Sequence, residues 1–148
     1  MNPAAALALV IGAYGAVLTS YSVWQARRQA QPRVLVHLAF APSSRLAISA
    51  RNVGRCNVIL DHVGLALADG LPLRVRPSSG RMPLPLLLGE GQRYSITVEC
   101  RAVARALLTE QRFGTVELCG FYVLADAIVV RSEPLPFDVA AWATVAGP

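Results

Sequence analysis

The sequence predicts a mainly β protein in which an N-terminal transmembrane helix precedes a seven-stranded antiparallel β-sandwich with one short helix. Two observations lead to this fold class. The first 26 residues carry no charged side chain, and beyond residue 33 apolar and polar residues alternate in short runs separated by turn residues. The 148-residue length suits one domain and an appendage. We therefore divide the chain into a transmembrane anchor at 1–26, a basic juxtamembrane linker at 27–33 and a β-sandwich domain at 34–148.

The N-terminal segment has the length and the flanking residues of a membrane-spanning helix. Residues 3–24 are uncharged, and about 20 apolar residues at 1.5 Å per residue cross the ~30 Å hydrocarbon layer. Tyr21 and Trp24 are expected at the membrane interface, next to Arg27 and Arg28 at the headgroups. Because these arginines follow the segment and none precedes it, we expect an inner-membrane protein with its domain in the cytoplasm. The alternative is an extracytoplasmic domain with reversed topology.

Small side chains recur at every fourth position of the same segment. Ala8, Gly12, Ala16 and Ser20 would share one face of a helix, and such a stripe lets two helices approach closely in lipid. We therefore expect the chain to self-associate through this face. The alternative is that Ala and Gly are simply abundant in the segment.

The rest of the chain has the pattern of strands joined by turns. A single helix is predicted at 101–111, where Val103, Ala104, Leu107 and Leu108 lie on one side. The alternation slips at Asp61–His62, which predicts a β-bulge. Residues 77–91 are rich in Pro and Gly and are expected to form a long loop whose leucines cover a sheet edge. The seven strands are predicted near residues 34–40, 46–51, 57–68, 71–75, 94–99, 115–124 and 128–131.

A set of turn and core residues runs through this region: Asn52-Val-Gly54-Arg55, Val58, Val63-Gly64-Leu65 and Leu88-Gly-Glu-Gly91, followed by the helix and the last hairpin. The set resembles the immunoglobulin-like modules of small, uncharacterised membrane-anchored proteins of bacteria and phages. The resemblance implies an immunoglobulin-like β-sandwich and no particular activity. The usual inter-sheet disulfide is not implied, because Cys56 precedes the third strand, and no core Trp matches.

No combination of residues points to catalysis, a metal or a cofactor. Asp61 and His62 are neighbours on a predicted strand and would point to opposite faces. The three cysteines lack C-x-x-C spacing, and two histidines do not easily complete a zinc site with them. Three buried thiols, or one disulfide and one thiol, are both compatible with the spacing. Of the 14 arginines three precede residue 34, which leaves 11 against nine acidic residues, a balance too weak for a nucleic-acid surface.

We therefore expect a non-enzymatic membrane protein that presents its sandwich as an interaction module. The expected partners are membrane lipid and another protein or a second copy of the chain, and not nucleic acid or a small-molecule substrate. An extracytoplasmic receptor or adhesion-like module is the alternative function. Five arginines near predicted turns are candidates for contacts with lipid phosphates, unless they are dispersed and solvated: Arg51, Arg55, Arg74, Arg76 and Arg81.

Overall fold

The computed structural model describes residues 14–26, 33–78 and 84–144. Residues 14–26 form helix α1, on which every residue is exposed. No helix in the described part of the chain is long and apolar enough to span a membrane. The predicted N-terminal transmembrane helix is therefore wrong; residues 1–13 of the predicted anchor and 27–32 of the linker lie outside the described residues.

Beyond residue 33 the described chain is mainly β, as predicted, and forms two antiparallel sheets. Strands β1 (Val34–Ala41), β2 (Arg45–Asn52) and β6 (Arg93–Glu99) form the first sheet, in that order across it. The second sheet contains β3 (Val58–Leu67), β4 (Pro72–Leu73), β5 (Leu86–Leu88), β7 (Thr115–Leu124), β8 (Val129–Arg131) and β9 (Leu135–Asp138). At its centre β3 pairs with β7. The short strands β4 and β5 share the outer edge of β3, and β8 and β9 share the outer edge of β7.

The core lies between the two sheets, because alternation along each long strand directs every second side chain inward. Leu46 and Ile48 of β2 and Leu118 and Tyr122 of β7 are completely buried there. The Tyr122 hydroxyl donates a hydrogen bond to the Ile48 carbonyl at 2.9 Å, which ties the sheets together. Gly120 permits this close approach, since a Cβ at that position would lie 2.7 Å from Cγ2 of Ile48.

Two helices complete the described domain. Helix α2 (Cys100–Thr109) confirms the helix predicted at 101–111, although it ends two residues earlier. It buries its apolar side, and its first N–H, that of Cys100, donates to the Ser44 carbonyl between β1 and β2 at 2.9 Å. Helix α3 (Val139–Ala143) is capped by Asp138, whose carboxylate accepts hydrogen bonds from the backbone N–H groups of Ala140 and Ala141.

The described residues beyond residue 33 contain nine strands and two helices, so the predicted count of seven strands and one helix is wrong. The resemblance to immunoglobulin-like modules stays a prediction. Strand β5 forms inside the predicted loop, because its leucines cover the edge of β3 by pairing with it as a strand. Strand β9 was missed because of Pro136. The Val139 N–H donates to the Gly114 carbonyl, and bonded pairs alternate along antiparallel strands, so the Pro136 nitrogen points away from β7. A proline is tolerated in an edge strand in that orientation.

Candidate functional site

An open cleft of about 710 Å³ lies between β1 of the first sheet and β8 of the second. Core-facing valines of both strands, Val36 and Val130, line it. Further lining comes from the outward-facing side of the first sheet, where Leu35, Arg51 and Arg93 border the cleft. The combination of apolar lining with a few charged groups is that of a ligand or peptide site.

Strands β1 and β8 are both edge strands. The Val53 N–H donates to the Arg33 carbonyl at 2.8 Å, and antiparallel partners alternate between bonded and non-bonded pairs. The N–H and C=O groups of Leu35 therefore point to β2, whereas those of Val34 and Val36 point away from it. No strand among the described residues pairs with this edge of β1.

The same alternation sets the direction of the backbone groups of β8. The Ser132 N–H donates to the Gly120 carbonyl of β7 at 2.8 Å. One residue earlier, the N–H and C=O groups of Arg131 therefore point away from β7. The cleft thus lies between two strand edges that no described strand occupies.

Positive charge is concentrated at one side of the cleft. Arg51 on β2 and Arg93 on β6 are direct cross-strand partners, and Leu35 on β1 is the other partner of Arg51. Like charges directly opposite each other destabilise a sheet. In the described part of the chain the one ion pair lies elsewhere, between Arg112 and Asp69 at 3.0 Å. Among the described residues, no carboxylate in contact with the two arginines therefore offsets their charge.

A short chain of hydrogen bonds holds one of these arginines. Nη2 of Arg93 donates to Oγ of Ser49 at 3.2 Å, and this hydroxyl is directed at the His37 carbonyl, 3.4 Å away. Arg131 also lines the cleft, but its two guanidinium Nη atoms are 3.7 Å from the position that a Cβ on Gly70 would occupy. Arg51 and Arg93 are therefore the cations that the outer face of the first sheet directs to the cleft.

The buried side chain of Asn52, at the end of β2, positions this part of the cleft. Its Nδ2 donates to the carbonyls of Cys56 at 2.8 Å and Leu88 at 2.9 Å, and its Oδ1 accepts from the Gly54 N–H at 3.0 Å. Its backbone N–H donates to the Gln92 carbonyl at 3.1 Å, and its carbonyl accepts from the N–H of Gly91, a lining residue, at 2.9 Å. Asn52 thereby fixes the turn that leads into Arg93.

The residues predicted to act in the N-terminal segment fall partly within the described residues. Ala16 and Ser20, predicted for helix association, are exposed on α1, while Ala8 and Gly12 lie outside the described residues. Self-association through this face stays a prediction.

The predicted membrane-interface residues divide in the same way. The rings of Tyr21 and Trp24 are exposed on α1 with centroids 6.0 Å apart. Arg27 and Arg28 lie outside the described residues. Five of the six large apolar side chains on α1 recur at intervals of three or four residues and therefore share one exposed face, whereas Val23 lies on the opposite side. We call this face the α1 stripe: Tyr14, Val17, Leu18, Tyr21 and Trp24.

The other groups considered from the sequence are dispersed. The predicted bulge is confirmed by the shift of register between Leu60 and His62. All three cysteines are thiols, and burial raises the pKa of the Cys100 thiol to about 11. Within 14–26, 33–78 and 84–144, no group of three or more His, Cys, Asp or Glu is placed to hold a metal ion.

Sequence reasoning found only part of the cleft. Of the five arginines singled out, Arg51 lines it, Arg55, Arg74 and Arg76 do not, and Arg81 lies outside the described residues. Arg93 was missed, because its position beside Arg51 depends on the pairing of β2 with β6. The sequence did contain a signal for this position. Arg51 lies at the end of one predicted strand and Arg93 just before the start of another, so antiparallel pairing of these two strands would place the arginines side by side.

Comparisons with known proteins do not assign a function to this cleft. No protein-family model matches the sequence, and no curated protein matches it. The cleft and the α1 stripe are the two features of the molecule that point to a function.

Proposed function

We propose that the chain is a non-enzymatic interaction protein that attaches to the cytoplasmic surface of a membrane and presents its two-sheet domain to a protein partner. The α1 stripe is the observation that carries the attachment. Its side chains are 50–67% exposed, from Trp24 to Tyr14. Removing apolar surface from water stabilises by about 25 cal/mol per Å², so this face favours contact with a lipid interface.

Two features of the sequence support an anionic membrane surface as the contact. Tyr and Trp are enriched at membrane interfaces, because their rings are apolar and carry one polar group. Arg27 and Arg28 follow α1 directly, and each arginine near an anionic leaflet contributes about 1 kcal/mol. Since the cytoplasmic leaflet carries the anionic lipids, the arginines favour that side.

Flotation with lipid vesicles tests the attachment. The full-length chain is mixed with vesicles of phosphatidylcholine alone or with added phosphatidylserine, and we expect it to float with both and to bind phosphatidylserine more tightly. Replacing Arg27 and Arg28 by Gln should weaken binding to phosphatidylserine vesicles by about 30-fold and leave binding to phosphatidylcholine unchanged. Leu18→Ser should weaken both, and Thr19→Ala, on the opposite face of α1, should weaken neither. A chain that stays at the bottom of the gradient with both kinds of vesicle would refute the attachment.

The cleft supports the second half of the proposal, the presentation of a binding surface. It lies on the domain and not on α1, so lipid contact at the α1 stripe leaves the lining of the cleft available. Its open form and strand edges suit a protein segment.

A further inference from the structure

We propose that the cleft between β1 and β8 binds an extended, acidic segment of a partner protein, which adds to β1 as a further antiparallel or parallel strand. This inference rests on the proposed function, in that it names the chemistry of the partner that the domain receives. Three observations meet at this place: an unoccupied strand edge, core-facing valines and two adjacent arginines.

The backbone of β1 offers the hydrogen bonds. The N–H and C=O groups of Val34, Val36 and Leu38 point away from β2, by the alternation that begins at Arg33. Three such residues present three donors and three acceptors over about five residues of strand, or roughly 17 Å at 3.4 Å per residue. A peptide of five or six residues in β conformation matches this length.

The two faces of an added strand meet different surroundings. Side chains that point inward meet Val36 and Val130, which are half-buried and line the cleft. Side chains that point outward lie beside Leu35, with Arg51 on the next strand across. Two strand spacings are about 10 Å, a distance that an arginine and a glutamate side chain span together. The expected segment therefore alternates apolar and acidic residues.

Charge distinguishes this partner from a second copy of the chain. Pairing β1 with β1 of a second copy would add a second Arg51, one strand in from the joined edges, to the same cleft, where the one lining carboxylate is that of Glu133. Like charges brought together cost affinity, and opposite charges add both affinity and rate of association. An acidic segment offsets the repulsion between Arg51 and Arg93, which the isolated chain leaves in place.

Fluorescence anisotropy with defined peptides tests this inference. The probe is a fluorescein-labelled hexapeptide of alternating valine and glutamate, added to the full-length chain in non-ionic detergent without lipid. We expect saturable binding that weakens as salt is raised. A peptide with lysine in place of glutamate should not bind. A valine–glutamate peptide with a methyl group on every backbone nitrogen should not bind either, because it cannot donate hydrogen bonds to β1 in either strand direction.

Variants of the chain locate the site. Arg51→Gln should weaken binding about tenfold, the loss of one charge-assisted contact. Arg93→Gln, three strand spacings from the added strand, should weaken it less, and Arg105→Gln on the exposed side of α2 should not change it. Val36→Pro should abolish binding, since the Val36 N–H points away from β2 and its loss leaves the sheet paired. Should Val36→Pro fail to fold, the N-methylated peptide still tests strand addition on the unaltered chain.

Two results would overturn the inference. One is equal binding of the glutamate and lysine peptides, or unchanged binding after N-methylation. The other is an unaltered chain that binds no acidic peptide but sediments as a dimer that Val36→Pro converts to a monomer, which would make a second copy the occupant. Because no lipid is present, failure here leaves the vesicle result, and with it the proposed attachment, unaffected.

Discussion

Replacing Asn52 by alanine is expected to lower the free energy of unfolding by about 3 kcal/mol. The side chain is completely buried and makes three hydrogen bonds, to Cys56, Leu88 and Gly54. Each bond contributes on the order of 1 kcal/mol, and more where its loss leaves a buried group without a partner. A loss of this size lowers the melting temperature of a domain of about 110 residues by roughly 10 °C.

Urea denaturation of the full-length chain, followed by circular dichroism, measures this effect. If the free energy of unfolding decreases by roughly 1.5 kcal/mol per M of urea, the urea concentration at the midpoint of unfolding should fall by about 2 M. Asn57→Ala, at an exposed position five residues later, is the matched control and should change stability by less than about 0.5 kcal/mol. Asn52→Asp keeps the shape but directs a carboxylate oxygen at two carbonyls, so at neutral pH it should be at least as destabilising as alanine. A midpoint for Asn52→Ala equal to that of the control would refute the role assigned to this side chain.

Two further predictions concern the core. Gly120→Ala should lower the free energy of unfolding by about 1–3 kcal/mol, because the new Cβ would lie 2.7 Å from Cγ2 of Ile48 between the sheets. Gly64→Ala should lower it less, because its Cβ meets the ring of the half-exposed Phe121. Equal melting temperatures of the two variants would contradict this. Burial raises the pKa of Cys100 from about 9 to about 11, so the stability it contributes is complete below pH about 9 and is lost as the pH rises towards 11. The melting temperature should fall over this interval, and a fall of the same size in Cys100→Ala would show that another group is responsible.

The five long strands and α2 could be predicted because their signals are local. Each long strand alternates between core and outward positions, and α2 buries one face at helical spacing. Strands β5 and β9 could not be predicted in this way. β5 is only three leucines, which carry no alternation, and β9 contains a proline whose tolerance depends on which edge it faces. The transmembrane helix was inferred from the absence of charge over residues 1–26. This is a property of composition and does not by itself establish a membrane-spanning helix, and the described residues contain none.

The cleft depends on information that no local pattern contains. Its charge requires that β2 and β6 be neighbours, so that Arg51 and Arg93 become partners although they are far apart in sequence. Its backbone edge requires that β1 be the outermost strand of its sheet. Both are consequences of strand order, which is set by packing across the whole domain. The sequence therefore identified Arg51 as a charged residue near a turn but did not identify the groups around it.

The position of Pro136 has a consequence for how the domain avoids aggregation. An exposed strand edge is a template on which further chains can polymerise, and proline on that edge blocks such growth by removing a donor and adding a bulky ring. In β9 the proline nitrogen points outward, so a further strand cannot readily pair with this edge of the larger sheet. Strand β1 carries no proline along its outward edge. Pro136 thus hinders edge-to-edge stacking of chains along β9. The edge of β1 has no such block, so it can accept the proposed acidic segment.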